Sequence, residues 1–247
     1  RQRQMCIRDS DYIFNKTEAI TLEQSKLTLS KDITCLSFSD SSMVDRNSSI
    51  IKVDSGWIVY SKNSESSILS FTSDGQFSGY IGHRGNGPGE YTSVYDVVVN
   101  QKSKVLEVLS DGGIFCYTFG GDFLDKKEVT YPAFSFAIDD RQNYWFYVGN
   151  NTTYGDAKMI CTDENIANVA YYLHQKSNML PMVENNFGRN GEWLTFHESL
   201  NHDLYTIENG KLDLSYAMDF PNYKLPKKLH ELSGMEVIEA LQRSNHA

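Results

Sequence analysis

Short apolar stretches separated by turn-forming residues run through most of this chain, and they fall into sets of four. Ile50–Val53, Trp57–Tyr60, Ser67–Phe71 and Gln76–Ile81 make the first set. Tyr95–Val99, Lys104–Leu109, Ile114–Phe119 and Phe123–Val129 make the second. A third runs through Phe134–Ile138, Tyr144–Val148, Lys158–Thr162 and Ala167–Leu173. A fourth runs through Asn186–Phe187, Trp193–Phe196, Leu204–Ile207 and Lys211–Met218. The stretches are rich in Val, Ile, Tyr, Phe and Trp, which fit a pleated, half-buried surface, so each predicts a strand. Gly, Asp and Asn between them suit tight hairpins that need positive φ or side-chain caps. Amphipathic helical spacing is absent until Leu229–Leu241, where Leu229, Leu232, Val237, Ile238 and Leu241 predict a short helix.

A turn of one kind returns at a near-constant interval. Asp74-Gly75, Gly120-Gly121, Asp163-Glu164 and Asn209-Gly210 are 46, 43 and 46 residues apart. Several short strands repeated every 40–50 residues or so predict an all-β fold, a β-propeller of four-stranded antiparallel blades. In such a blade the turns between first and second and between third and fourth strands share one end. The second-to-third loops and the crossovers between blades share the other. No window of 18 or more apolar residues occurs, so no transmembrane segment is expected.

The segment Ile81-Gly-His-Arg-Gly-Asn-Gly-Pro-Gly-Glu-Tyr91 resembles the glycine-rich element of NHL-type propellers. More narrowly, it resembles a family of bacterial six-bladed β-propeller lipoproteins whose usual form is I-G-R-x-G-Q-G-P-G-E-Y. His83 stands where that form has Arg, Arg84 at its variable position, and Asn86 where it has Gln. Ile33-Thr-Cys-Leu-Ser-Phe38 loosely matches the family's leading strand, and Leu225-Pro226 matches in place. The resemblance implies export to the periplasm or outer surface and a lipid anchor in the intact gene product. It implies no activity, since most such proteins have no assigned role. It also implies six blades where four are countable, so the chain is expected to be a fragment, incomplete at its C-terminus.

Residues 1–10 read as a non-native leader, and residues 11–247 as one propeller domain with no low-complexity linker. No apolar region precedes Cys6. Cys35, Cys116 and Cys161 fit no zinc or redox spacing, and the last two fall in third strands, where a small thiol packs as a hydrophobe. The formal charge of −9 argues against nucleic acid as a partner, because phosphate binding needs clustered Lys and Arg. No metal and no cofactor is expected.

Candidate ligand-binding residues come from the crossover end, where the longer polar loops collect: His83, Arg84, Asp111, Tyr154 and His197. Within the glycine-rich loop, Gly82, Gly85, Gly87, Pro88, Gly89, Glu90 and Tyr91 read as structural. The glycines permit a sharp crossover, Pro88 stiffens it, Glu90 bonds loop amides, and Tyr91 packs between blades. The loop lacks the Gly-Lys-Ser/Thr of a P-loop, and a strand rather than a helix follows it. His197, Glu198 and His202 form H-E-x-x-x-H, one residue longer than the zinc-protease helix motif and placed at a strand end. His174 is expected to stand alone on the surface. No catalytic motif is found.

These features predict an exported or surface-anchored binding or scaffold protein that recognises a glycan, peptide or partner protein at its crossover face. The alternative is a propeller hydrolase or lyase acting on an extracellular carbohydrate.

Overall fold

In the computed structural model the described residues are 33–37, 48–62, 67–149, 155–174, 185–191, 193–198, 201, 203–217, 232, 236, 239 and 240. The chain divides into two compact units, Thr34–Gln175 and Arg1–Ile33 with Lys176–Ala247.

The first unit holds three blades. β1 (Ser49–Val53), β2 (Gly56–Tyr60), β3 (Ile68–Thr72) and β4 (Phe77–Ile81) form one antiparallel sheet in sequence order. After a crossover carrying β5 (His83–Arg84) and β6 (Glu90–Tyr91), a second sheet follows. It comprises β7 (Asp96–Asn100), β8 (Val105–Ser110), β9 (Gly113–Tyr117) and β10 (Phe123–Lys127). β11 (Ser135–Ile138), β12 (Tyr144–Tyr147), β13 (Met159–Thr162) and β14 (Ala170–Tyr172) make the third. The second unit holds one blade of the same order: β15 (Phe187–Asn190), β16 (Trp193–His197), β17 (Asp203–Glu208) and β18 (Lys211–Ala217). The fold class is thus the expected β-propeller of four-stranded antiparallel blades. Helical backbone among the described residues is confined to 236, 239 and 240; the rest of the predicted Leu229–Leu241 helix lies outside them, apart from residue 232.

Side chains alternate faces along a strand, and in the middle blade both faces are covered. From β8, Leu106 and Val108 pack toward the first blade with Ile58, Tyr60, Ile68 and Ile81. Leu109 packs the other way with Phe136, Tyr144 and Phe146 of the third blade. In β9, Phe115 and Tyr117 belong to the first interface, and Ile114 and Cys116 to the second. This two-sided burial explains why these strands read as apolar runs. It also explains the thiols: Cys116 and Cys161 are buried and unpaired, and burial pushes both up to about 12.

Turn chemistry carries the repeat. In the third-to-fourth hairpins Thr72, Thr118 and Asp163 each accept the amide four residues on, at 3.0, 3.1 and 2.9 Å. Gly75, Gly121 and Ile166 take the left-handed position before it, with φ of 87°, 100° and 59°. The third blade spends a β-branched residue where the first two spend glycine, a strained choice.

Buried polar ties join the blades. Asp96 at the start of β7 accepts Lys62 Nζ at 2.8 Å and the Phe136 amide at 3.1 Å, linking three consecutive blades. Its burial raises its carboxyl pKa, against the opposing pull of Lys62. Glu107 of β8 accepts the Tyr144 hydroxyl at 2.8 Å and Asn100 Nδ2 at 3.0 Å.

Candidate functional site

Two crossovers of the first unit, with the β8–β9 turn, build the candidate site. The first crossover, between β4 and β7, folds on itself. β5 and β6 pair in parallel, the Gly85 amide reaches the Tyr91 carbonyl at 3.1 Å, and Glu90 Oε2 accepts the Gly87 amide at 2.8 Å. Tyr91 is fully buried between the first two blades. Its hydroxyl donates to the Ile81 carbonyl and accepts the Ile68 amide, both at 3.2 Å. Ile68 opens β3 and faces Ile81, which closes β4, so the phenol pins the crossover to the blade it leaves.

The glycines have distinct reasons. Gly82 and Gly89 have φ of 60° and 73°. Gly87 does not share this conformation. At Gly85 the obstacle is proximity: a Cβ there would stand 1.9 Å from Glu90 Oε2.

His83 and Arg84 lie exposed on β5. Arg84 donates Nε–H to the Thr92 carbonyl at 3.0 Å, so part of its guanidinium holds the crossover in place. Asp111 and Gly112 form the two-residue turn between β8 and β9. One Asp111 oxygen, Oδ2, accepts the Thr92 and Ser93 hydroxyls at 2.7 and 2.9 Å. The other, Oδ1, accepts the Tyr95 phenol at 2.5 Å. These bonds, Tyr95's first and Thr92's next, hold the Asp111 carboxyl below its ordinary value, and the same contact raises Tyr95. Arg84 and Asp111 therefore meet through Thr92. His197 ends β16 in the other unit, and Tyr154 lies outside the described residues.

The second crossover, between β10 and β11, is built differently. Val129 and Ala133 are buried against the third blade, while Thr130 and Pro132 stay exposed. Between it and the β8–β9 turn lies a groove of about 610 Å³. Tyr95, Asp111, Glu128, Tyr131 and Phe134 are among its walls, over a floor that includes Leu109 and Ala133. Aromatic walls with a few polar groups over an apolar floor are the usual make-up of a ligand site. Of these residues the sequence reading includes only Asp111. The available signal was Tyr131-Pro132 between two strands, aromatic and turn-forming at a crossover position.

One other expectation changes, and one holds for the residues described. His174 does not stand alone, because its Nδ1 lies 2.9 Å from Asp156 Oδ1, which raises its pKa. In H-E-x-x-x-H, His197 belongs to a strand and Glu198 is buried after it, while His202 lies outside the described residues. A strand cannot present the two histidines as the helical motif does.

Comparison with solved structures points to the same architecture. A "putative exported protein" of Bacteroides fragilis is 15% identical, with a TM-score of 0.69 over 78% of this chain and 56% of that one. The chain therefore spans little more than half the length of that protein. A member of the DUF4221 family from Bacteroides vulgatus is 12% identical, with a TM-score of 0.55 over 88% of this chain and 70% of that one. Likeness at such identities speaks for fold alone. Curated proteins gave no match. The model of a domain of unknown function, DUF4934, matches residues 9–241, and the chain belongs to that family.

Proposed function

We propose that this protein is an exported, envelope-associated binding module that holds a glycan, peptide or partner protein at the crossover end of its blades. The observation that carries the reading is the groove beside Asp111, lined by Tyr95, Tyr131 and Phe134. It lies between the β10–β11 crossover and the β8–β9 turn, on elements held by two packed interfaces. Loops fixed on a rigid scaffold are where binding groups concentrate. The name of the B. fragilis neighbour supports export. A six-bladed, NHL-like lipoprotein is the fuller form of this proposal, resting on the glycine-rich motif.

Asp111 and Glu128 form the polar side of the groove, with His83 and Arg84 proposed as outlying contacts on the first crossover and Tyr154 and His197 as separate candidates. The test is a titration of the chain with a panel of glycans and peptides, followed by NMR or calorimetry. Tyr131→Ala is expected to weaken any ligand found by about 1–3 kcal/mol, the scale of a lost aromatic anchor, without lowering Tm much. Arg84→Ala should weaken it less, since Arg84 Nε already serves the Thr92 carbonyl. A ligand indifferent to every groove substitution would refute the site.

A further inference from the structure

We propose that the groove takes a cationic group, the ammonium or guanidinium of a basic peptide segment. This rests on the groove being the binding site and adds the class of ligand.

The first argument is the direction of the protons. Thr92, Ser93 and Tyr95 all commit their hydroxyl hydrogens to Asp111. Ser110 Oγ accepts the Ser93 amide at 3.2 Å and lies 3.5 Å from Thr92 Oγ1. The hydroxyls around Asp111 thus turn lone pairs, not protons, toward an incoming group. A lysine ammonium has three donors and no acceptor, and a guanidinium has five and none. A sugar hydroxyl can both give and take, and only its giving is met here.

The second argument is Asp111 itself. A carboxylate offers roughly four lone-pair sites, and three hydroxyls occupy Asp111. About one remains, too few for the paired bonds by which a carboxylate grips neighbouring sugar hydroxyls. The negative charge is undiminished by these neutral donors, and it still attracts a cation.

The third is charge and ring chemistry. The lining contains two carboxylates, Asp111 and Glu128, and no Lys or Arg. Tyr95, Tyr131 and Phe134 supply ring faces suited to a cation. The same unit already seats its own lysines this way, with Lys126 5.0 Å from the Phe115 ring centroid and Lys127 4.7 Å from that of Tyr144. Lys126 also comes up beside the groove, its Nζ 3.5 Å from where a Cβ on Gly112 would stand. It should compete with an incoming cation.

The test titrates the chain with fluorescent oligolysine, oligoarginine, oligoglutamate and a neutral oligosaccharide, at low and physiological salt. Oligolysine and oligoarginine should bind. Asp111→Asn should weaken them about tenfold, within the range of a lost charge-assisted bond. Glu128→Gln should weaken them several-fold, Lys126→Gln should tighten them, and Glu208→Gln, an exposed carboxylate of the other unit, should change nothing. Thermal unfolding checks that Asp111→Asn still folds; if it does not, Glu128→Gln and Lys126→Gln carry the test. Equal weakening by Glu208→Gln would reduce the effect to net charge and overturn the proposal. Groove-dependent binding of the oligosaccharide or oligoglutamate, without the basic peptides, would overturn the cation while keeping the binding site. Binding of no probe would overturn both.

Discussion

The two crossovers of the first unit do the same topological job with opposite chemistry. Gly82–Tyr95 is closed: its glycines let the chain double back, Glu90 plugs the loop, and Tyr91 buries its ring and joins two backbone groups. Glu128–Phe134 is open: no glycine folds it inward, and Tyr131, Pro132 and Phe134 line a groove instead. The more conspicuous motif in the sequence is thus chiefly architectural. The plainer segment is the better candidate for binding.

The sharpest way to break this contrast is to place a side chain on Gly82. Its φ is 60°, and a Cβ there would meet the buried Tyr117 ring at 2.6 Å. Gly82→Val combines left-handed strain with overpacking and should cost about 3 kcal/mol in denaturant unfolding. Pro132→Ala, in the open crossover, should cost under about 1 kcal/mol. Equal losses would erase the distinction between a structural and a binding crossover.

Tyr91→Phe is a finer probe. It keeps the ring and removes only the hydroxyl between Ile68 and Ile81, leaving two buried backbone groups without it. A loss of about 1–2 kcal/mol is expected, with slowed amide exchange at Ile68 lost in parallel. An unchanged exchange rate at Ile68 would show that the phenol does not pin the blade end. Glu90→Ala removes the charged acceptor of the Gly87 amide at a less buried site and should cost about 1 kcal/mol. Chemical denaturation reads it directly, and a loss as large as that of Gly82→Val would put the loop's stability in Glu90 rather than in its glycines.

Much of this was legible beforehand, and the reason is local. A hairpin needs a particular turn residue at a particular place, so Asp74-Gly75 and Gly120-Gly121 announce themselves. Apolar runs such as Val105–Ser110 follow from burial on both faces. The groove is not legible in the sequence because the pattern of Phe123–Val129 reads as strand two residues beyond its end at Lys127. On that pattern the crossover is only residues 130–133, shorter than the glycine-rich loop. Asp111 is indicated by its position alone, and its three hydroxyl partners come from a loop 16 to 19 residues away. No pattern in either segment specifies that meeting. The parallel pairing of β5 with β6 was equally invisible, being two residues on each side.

The smallest effect expected is electrostatic, at the residue both crossovers share. Asp111 receives three hydroxyls from the end of the closed crossover while it lines the groove of the open one. Its carboxyl is held below the ordinary value of 3.8 in the folded chain. A group depressed in this way contributes stability that is full above its unfolded pKa and is lost as pH falls through the folded one. Because Asp111 is exposed, solvent screens much of the gain, and the change should be local rather than global. Acidification below about pH 4, the unperturbed Asp value, should therefore lower the protection of the Ser93 amide relative to its intrinsic exchange rate at each pH, before the first unit unfolds. Asp111→Asn should show fast exchange at Ser93 already at neutral pH and lose the acid dependence there. Amide exchange followed by NMR across this range would decide it. A wild-type profile at Ser93 that tracks Gly87 in the glycine-rich loop would mean that Asp111 does not fix the end of the closed crossover.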